Sequence, residues 1–168
     1  MRRPLLAALV LVAALAPVAS ATPQLSTVRV DDFSMGVPGE WRTATKVGTV
    51  RLMSAATRQD AGVFTNANVV VTPSASGLPV GYRNELIAMF RKAGVNVTSL
   101  STSQVTMPAG SAVKLRYNGT MLGKRLSFLA YAFQKNGKAY VVTFTAARAS
   151  YSRNAALFGA MARSFRIR

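Results

Sequence analysis

The sequence predicts an α+β domain in which an antiparallel β-sheet is flanked by helices. Three observations lead there. Segments rich in β-branched and apolar residues recur along most of the chain, two other segments carry apolar residues at helical spacing, and Asn136-Gly137 separates two strand-like runs as a two-residue hairpin turn does. Consecutive strands with few intervening helices pair antiparallel, and the helices then cover the sheet.

The N-terminus reads as a targeting segment. Arg2 and Arg3, an uncharged stretch rich in Leu, Ala and Val from Leu5 to Ala16, and the small residues Ala19-Ser20-Ala21 form the pattern of a signal peptide over residues 1–21. The apolar stretch falls short of the roughly 20 residues that cross a bilayer, and it ends at Pro17. Residues 22–168 are therefore expected as one exported domain, periplasmic or secreted, with no transmembrane span. The chain has no Cys, so it can carry neither disulfides nor a lipid-modified cysteine. A soluble, unanchored product held by packing and hydrogen bonds is expected.

Within the domain, Phe33, Met35 and Val37 alternate with Ser34 and Gly36 before a Pro38-Gly39 turn and the single Trp41, a strand entering a turn. Residues 49–53 and 67–72 read as two further strands, the second closed by Pro73, Ser74 and Gly77. From Pro79 to Ala93 the period changes. Tyr82, Leu86, Met89, Phe90 and Ala93 share one helical face, Arg83, Arg91 and Lys92 lie on the other, and Gly94 ends the helix. Strands return over 97–107 and 112–117; in the latter, Val113, Leu115 and Tyr117 alternate with Lys114 and Arg116, giving one buried and one wet face. Residues 125–134 and 139–146 flank the Asn-Gly turn. Tyr151, Ala155, Phe158 and Ala162 place a last helix over 150–163, capped by Ser150 or Ser152, and residues 164–167 close the chain as a short edge strand.

This order of features, and the run F-x-M-x-V-P-x-x-W from Phe33 to Trp41, resembles the PsbP/DcrB-like family of exported proteins. The helix from Tyr82 to Ala93, the strand from Ala112 to Gly119, the hairpin from Lys124 to Thr145, and Phe158 followed by Ser164-Phe165 fall in the family's order. The resemblance implies a PsbP-like α/β/α sandwich in a family whose members act as envelope accessory or interaction proteins. It carries over no functional residue, because the matching positions are core and turn residues. Bacterial relatives are commonly lipid-anchored, and this chain lacks the Cys which that requires.

Charge is the second strong feature. Twenty-one Lys and Arg stand against five Asp and Glu; without Arg2 and Arg3 the balance is 19 to 5, a formal charge of +14. Such a charge attracts acidic partners through long-range, salt-sensitive forces: an envelope protein, an anionic envelope polymer or lipid head groups. No run of five like charges occurs, so dispersal over a solvated surface accounts for the charge equally well. The candidate anion or partner site consists of Arg83, Arg91, Lys92, Arg116, Lys124, Arg125, Lys135 and Lys138. Nucleic acid is a poor fit, since Phe128, Tyr131, Phe133, Tyr140 and Phe144 lie in strands where burial leaves no surface for stacking.

Catalytic chemistry is hard to place. The absence of His and Cys removes the usual proton shuttle, the commonest zinc ligands and the thiol nucleophile. Adjacent Asp31 and Asp32 would face opposite sides of a strand and suit a strand entrance better than an acid and base pair. No acidic loop has calcium spacing, no Gly-x-Ser-x-Gly elbow presents a nucleophile, and no Gly-x-Gly-x-x-Gly loop cradles a phosphate. The expectation is a non-catalytic accessory or binding protein of the cell envelope, without cofactor or metal, acting through a basic surface. The alternative is a carrier of a small ligand held between sheet and helix, which requires a cavity there. An unrecognised hydrolase ranks below both.

Overall fold

Turn chemistry fixes the strand connections. In a two-residue hairpin both central residues take positive φ, which Asn and Gly tolerate best. Asn136 and Gly137 adopt φ of 53° and 69° as the sequence predicts, and Ala61-Gly62 (51°, 74°) and Leu122-Gly123 (49°, 71°) repeat that geometry with a less favourable first residue. The computed structural model describes residues 24–47, 50–73, 87 and 90–168. The expected signal peptide over 1–21 lies outside them.

Among the described residues the strands are β1 (Leu25–Val30), β2 (Phe33–Pro38), β3 (Arg42–Val47), β4 (Val50–Asp60), β5 (Val63–Pro73), β6 (Asn96–Met107), β7 (Gly110–Met121), β8 (Lys124–Lys135), β9 (Lys138–Ala147) and β10 (Arg166–Ile167), with the helix α1 (Tyr151–Ser164) before the last. Seven form one sheet in the order β3-β4-β5-β9-β8-β7-β6, and β1-β2-β10 form a second. Every described pairing is antiparallel.

The fold is mostly antiparallel sheet with one C-terminal helix, more strand-rich than expected. The expected helix over 79–93 is helical at residues 87 and 90–92, and the remainder, with Arg83, lies outside the described residues. β1 and β3 are additional strands, and β4 and β5 extend well beyond 49–53 and 67–72. The reason is exposure. Much of β1, β3 and the far end of β4 faces water, so polar residues there erase the alternation that marks a half-buried strand.

In β8 the eight residues from Leu126 to Phe133 are all buried, so both faces of the sheet need cover. On one face Leu129, Tyr131 and Phe133, with Tyr140, Val142 and Phe144 of β9, meet Phe158, Met161 and Ala162 of α1 and Phe33 and Met35 of β2. On the other face Leu126, Phe128 and Ala130 join Leu115 and Tyr117 of β7, against Ile87, Phe90 and Val95. Tyr151 is only half-buried and Ala155 is exposed, so the buried stripe of α1 runs through Phe158, Met161 and Ala162. Ser150 occupies the cap position, but its Oγ donates to the Ala147 carbonyl (3.3 Å) and makes no capping bond.

Phe165 joins the first face to the small sheet. Its ring lies 5.3 Å from Phe133, 5.6 Å from Phe33 and 6.4 Å from Tyr140, and the next two residues pair with β2. The Gly36 amide, deep in β2, donates to Ser164 Oγ at 2.8 Å, where a Cβ on residue 36 would press to about 3.0 Å against Leu25 and Ser164. Phe165→Ala is expected to cost about 3–5 kcal/mol of unfolding free energy. Leu122→Ser, at a hairpin tip 92% exposed, is expected to stay within about 0.5 kcal/mol of wild type; urea denaturation monitored at Trp41 reads both.

Candidate functional site

Three of the acids are taken up by cations. Asp31, in the β1–β2 turn at φ 46°, accepts ion pairs from Lys46 (3.2 Å) and Arg51 (3.0 Å). Asp32 Oδ2 accepts from Lys138 Nζ and from Tyr140 Oη, both at 2.6 Å. Asp60 accepts Arg153 Nη2 on both oxygens, at 2.9 and 2.8 Å. Asp31 and Asp32 therefore occupy a turn at the entrance to β2. Lys138, then Tyr140, hold the Asp32 carboxyl below the usual carboxylate range, while burial and the bond to Asp32 push the Tyr140 hydroxyl up to about 12.

The seven described basic candidates do not share one surface. Lys135 Nζ donates to the Ile167 carbonyl (3.0 Å) and Lys138 binds Asp32, so both pin one end of the sandwich. Lys124 and Arg125 lie at the opposite end, where Arg148 joins them around a hollow of about 420 Å³. Arg116 is exposed on the α1 face of the sheet, in a pocket with Tyr151, Ser99, Ser101, Asn118 and Ser127. Arg91 and Lys92 are exposed on the helical segment over the other face. One pair, Ser111 and Lys114, has the Ser-x-x-Lys spacing of some acyl-transfer enzymes. In β7 that spacing sends the two side chains to opposite faces, so they cannot exchange a proton.

The feature that combines shape with chemistry is a groove of about 690 Å³ on the face away from α1. Strand register builds its floor: Asn66 pairs with Thr145 and Asn68 with Thr143, so two amides and two hydroxyls line up along β5 and β9. One wall is the stack Phe90, Tyr117, Phe128, with centroid separations of 4.2 and 4.4 Å. Burial raises the Tyr117 hydroxyl above its ordinary value and keeps it neutral. The far rim carries Met53 and Phe64, 39% and 46% exposed, with Arg42 beside them. Leu122 is the other large apolar residue in that class among the described residues. No acidic residue lines the groove among the described residues.

Gly119 sets the aromatic wall. A Cβ there would stand 2.8 Å from the Asn96 carbonyl oxygen and from Val95 Cγ1, so only Gly lets the turn after the helical segment lie against β7. In the sequence the floor appears only as N-x-N and T-x-T, which a solvated strand face would also show.

No protein-family profile matches the sequence, and no curated protein matches it. Solved structures do match in fold. Cyanobacterial PsbP (CyanoP) from Synechocystis sp. PCC 6803 superposes with a TM-score of 0.61 at 15% identity, over 93% of this chain and 98% of its own. The chain has the PsbP/Mog1-like fold. LpqN of Mycobacterium tuberculosis, described as involved in cell envelope biogenesis, gives 0.56 at 14% identity over 86% of this chain and 90% of its own. The Saccharomyces cerevisiae Ran-binding protein Mog1p gives 0.56 at 11% over 86% and 96%. Within the PsbP/Mog1-like domain, no helix among the described residues is long and apolar enough to cross a membrane.

Two outcomes follow from this geometry. Gly119→Ala is expected to cost about 1–3 kcal/mol by overpacking and to shift the amide resonances of Val95 and Asn96. For Asp32, a folded pKa below the ordinary 3.8 means that its contribution is present above 3.8 and lost as pH falls through the folded value. The stability gap between wild type and Asp32→Asn, from denaturation at stepped pH, is therefore expected to narrow on acidification.

Proposed function

We propose that this chain is an exported, non-catalytic binding protein of the cell envelope that holds a small amphipathic ligand in the groove between its sheet and helical segment. The observation that carries the reading is the groove's composition: an aromatic wall and apolar rim for a hydrocarbon body, and hydrogen-bonding amides and hydroxyls on the floor. Pockets of this size with a few convergent polar groups are the common form of small-ligand sites. With Arg42 at its rim and no described acid lining it, the groove favours an anionic or neutral head group. Its described lining has no carboxylate, His or Cys to act as a base or nucleophile near neutrality, which favours binding over turnover. The envelope placement rests on the N-terminal targeting pattern and on the similar fold of LpqN.

A second reading, association with an anionic envelope component through basic surface, is favoured by Lys124, Arg125 and Arg148 gathered at one end. It predicts binding that weakens with salt, whereas insertion of an apolar body is far less salt-sensitive.

The anionic apolar dye 8-anilinonaphthalene-1-sulfonate tests the groove. Wild type is expected to bind it with enhanced fluorescence. Thr143→Phe, which fills the floor while keeping a strand-forming residue, is expected to weaken binding at least tenfold with unchanged circular dichroism. Equal binding by the two proteins rejects the groove as the site.

A further inference from the structure

The large sheet ends in two unlike edges, β3 and β6. An edge strand leaves every second backbone N–H and C=O without a ladder partner and can template another strand. β3 is blunted: it is six residues long, carries Arg42 and Lys46, and leaves regular strand geometry at Lys46, φ 58°. β6 has none of these protections. It runs for twelve residues with no charged residue and no Pro, and after one irregularity between Val97 and Ser99 it stays in continuous register with β7 to Met107. No described strand pairs with its outer side, and the side chains of Ser101 to Gln104 are exposed.

The surroundings of this edge say what would occupy it. After Glu85 the chain contains thirteen Lys and Arg and no Asp or Glu, and among the described residues no ion pair takes up a Lys or Arg of β6, β7 or β8. Directly behind the edge, Arg116 pairs in register with Ser101 and Lys114 with Ser103. A strand added outside β6 would lie about 9–10 Å from β7, two strand spacings away. Lys and Arg side chains reach most of that distance, carboxylate side chains cover the rest, and the small serines between them leave the path open. Tyr151 and Arg116 line the same pocket, which borders this edge at Ser99 and Ser101. A second copy of this chain fits badly, since it would bring another Arg116 and Lys114 to the same seam with no acid to offset them.

We propose that β6 is a docking edge for an extended acidic segment of a partner protein, which adds as an eighth strand with its carboxylates on the face of Lys114 and Arg116. Main-chain bonds supply affinity and the alternating acidic side chains supply selectivity, as in other strand additions. The interaction is independent of the groove, which lies on the opposite face.

The probe is a blocked octapeptide with Glu at alternate positions and Val between them, titrated into isotope-labelled protein and followed by amide resonances. Expected are shifts concentrated on residues 99–107 and slowed hydrogen exchange there. Affinity should fall at least tenfold when Lys replaces the peptide's Glu and when salt is raised. Ser103→Glu should also weaken binding at least tenfold, while Thr43→Glu on the β3 edge leaves it unchanged. Lys114→Ala, which leaves β6 intact, should weaken it severalfold. Equal affinity for the Lys peptide, shifts outside β6 and β7, or indifference to both Ser103→Glu and Lys114→Ala overturns the proposal, as does a dimer that protects β6 in the absence of peptide. Dye binding retained by Ser103→Glu, and peptide binding retained by Thr143→Phe, separate failure here from failure of the groove reading.

Discussion

A strand with no wet side organises this molecule. From Leu126 to Phe133 every residue of β8 is buried, so each sheet face must be covered or a row of large apolar side chains would meet water, at about 25 cal/mol for each Å² left exposed. α1 and the small sheet seal one face through Phe158, Met161, Phe33 and Phe165. On the other, Phe90 stacks on Tyr117, which stacks on Phe128, and Asn66, Asn68, Thr143 and Thr145 line the groove beside that stack. Among the described residues, the groove lies where the aromatic stack gives way to these amides and hydroxyls.

The few acids follow a related economy. Asp31, Asp32 and Asp60 lie in or next to turns, and each accepts a basic side chain from a strand or helix distant in sequence. Such half-exposed pairs contribute little energy individually, but they fix which ends of the sandwich meet. Lys138 and Arg153 are taken up in this way, and the other cations of the later half have no acid near them in sequence.

The sequence was readable where physics leaves periodic marks. The Asn136-Gly137 hairpin, the alternation of Phe33 to Val37, the strand-like 112–117 and the C-terminal helix all appear in place. Ala61-Gly62 and Leu122-Gly123 adopt the same turn without Asn or Asp to announce it, which is one reason the length of β4 and β5 stayed hidden. β1 and β3 stayed hidden because strands facing water need no alternation. The groove was legible only as a requirement of the ligand-carrier reading, because its residues come from six strands and a helical segment whose register no single stretch reveals. The basic residues were conspicuous in the sequence, yet their division between the two ends of the sheet was not legible in it. Lys135 and Lys138 are tied into the structure at one end, while Lys124 and Arg125 stand at the other.

Phe165 and β10 close against β2 across a sequence separation of more than a hundred residues; the bond from Gly36 to Ser164 alone spans 128. Contacts of this separation form late, because the loop between them must be closed before they return any energy. A chain synthesised from its N-terminus therefore presents β2 with no completed core to join until the far end emerges. The same long closure that completes the native state delays it until the C-terminus is available.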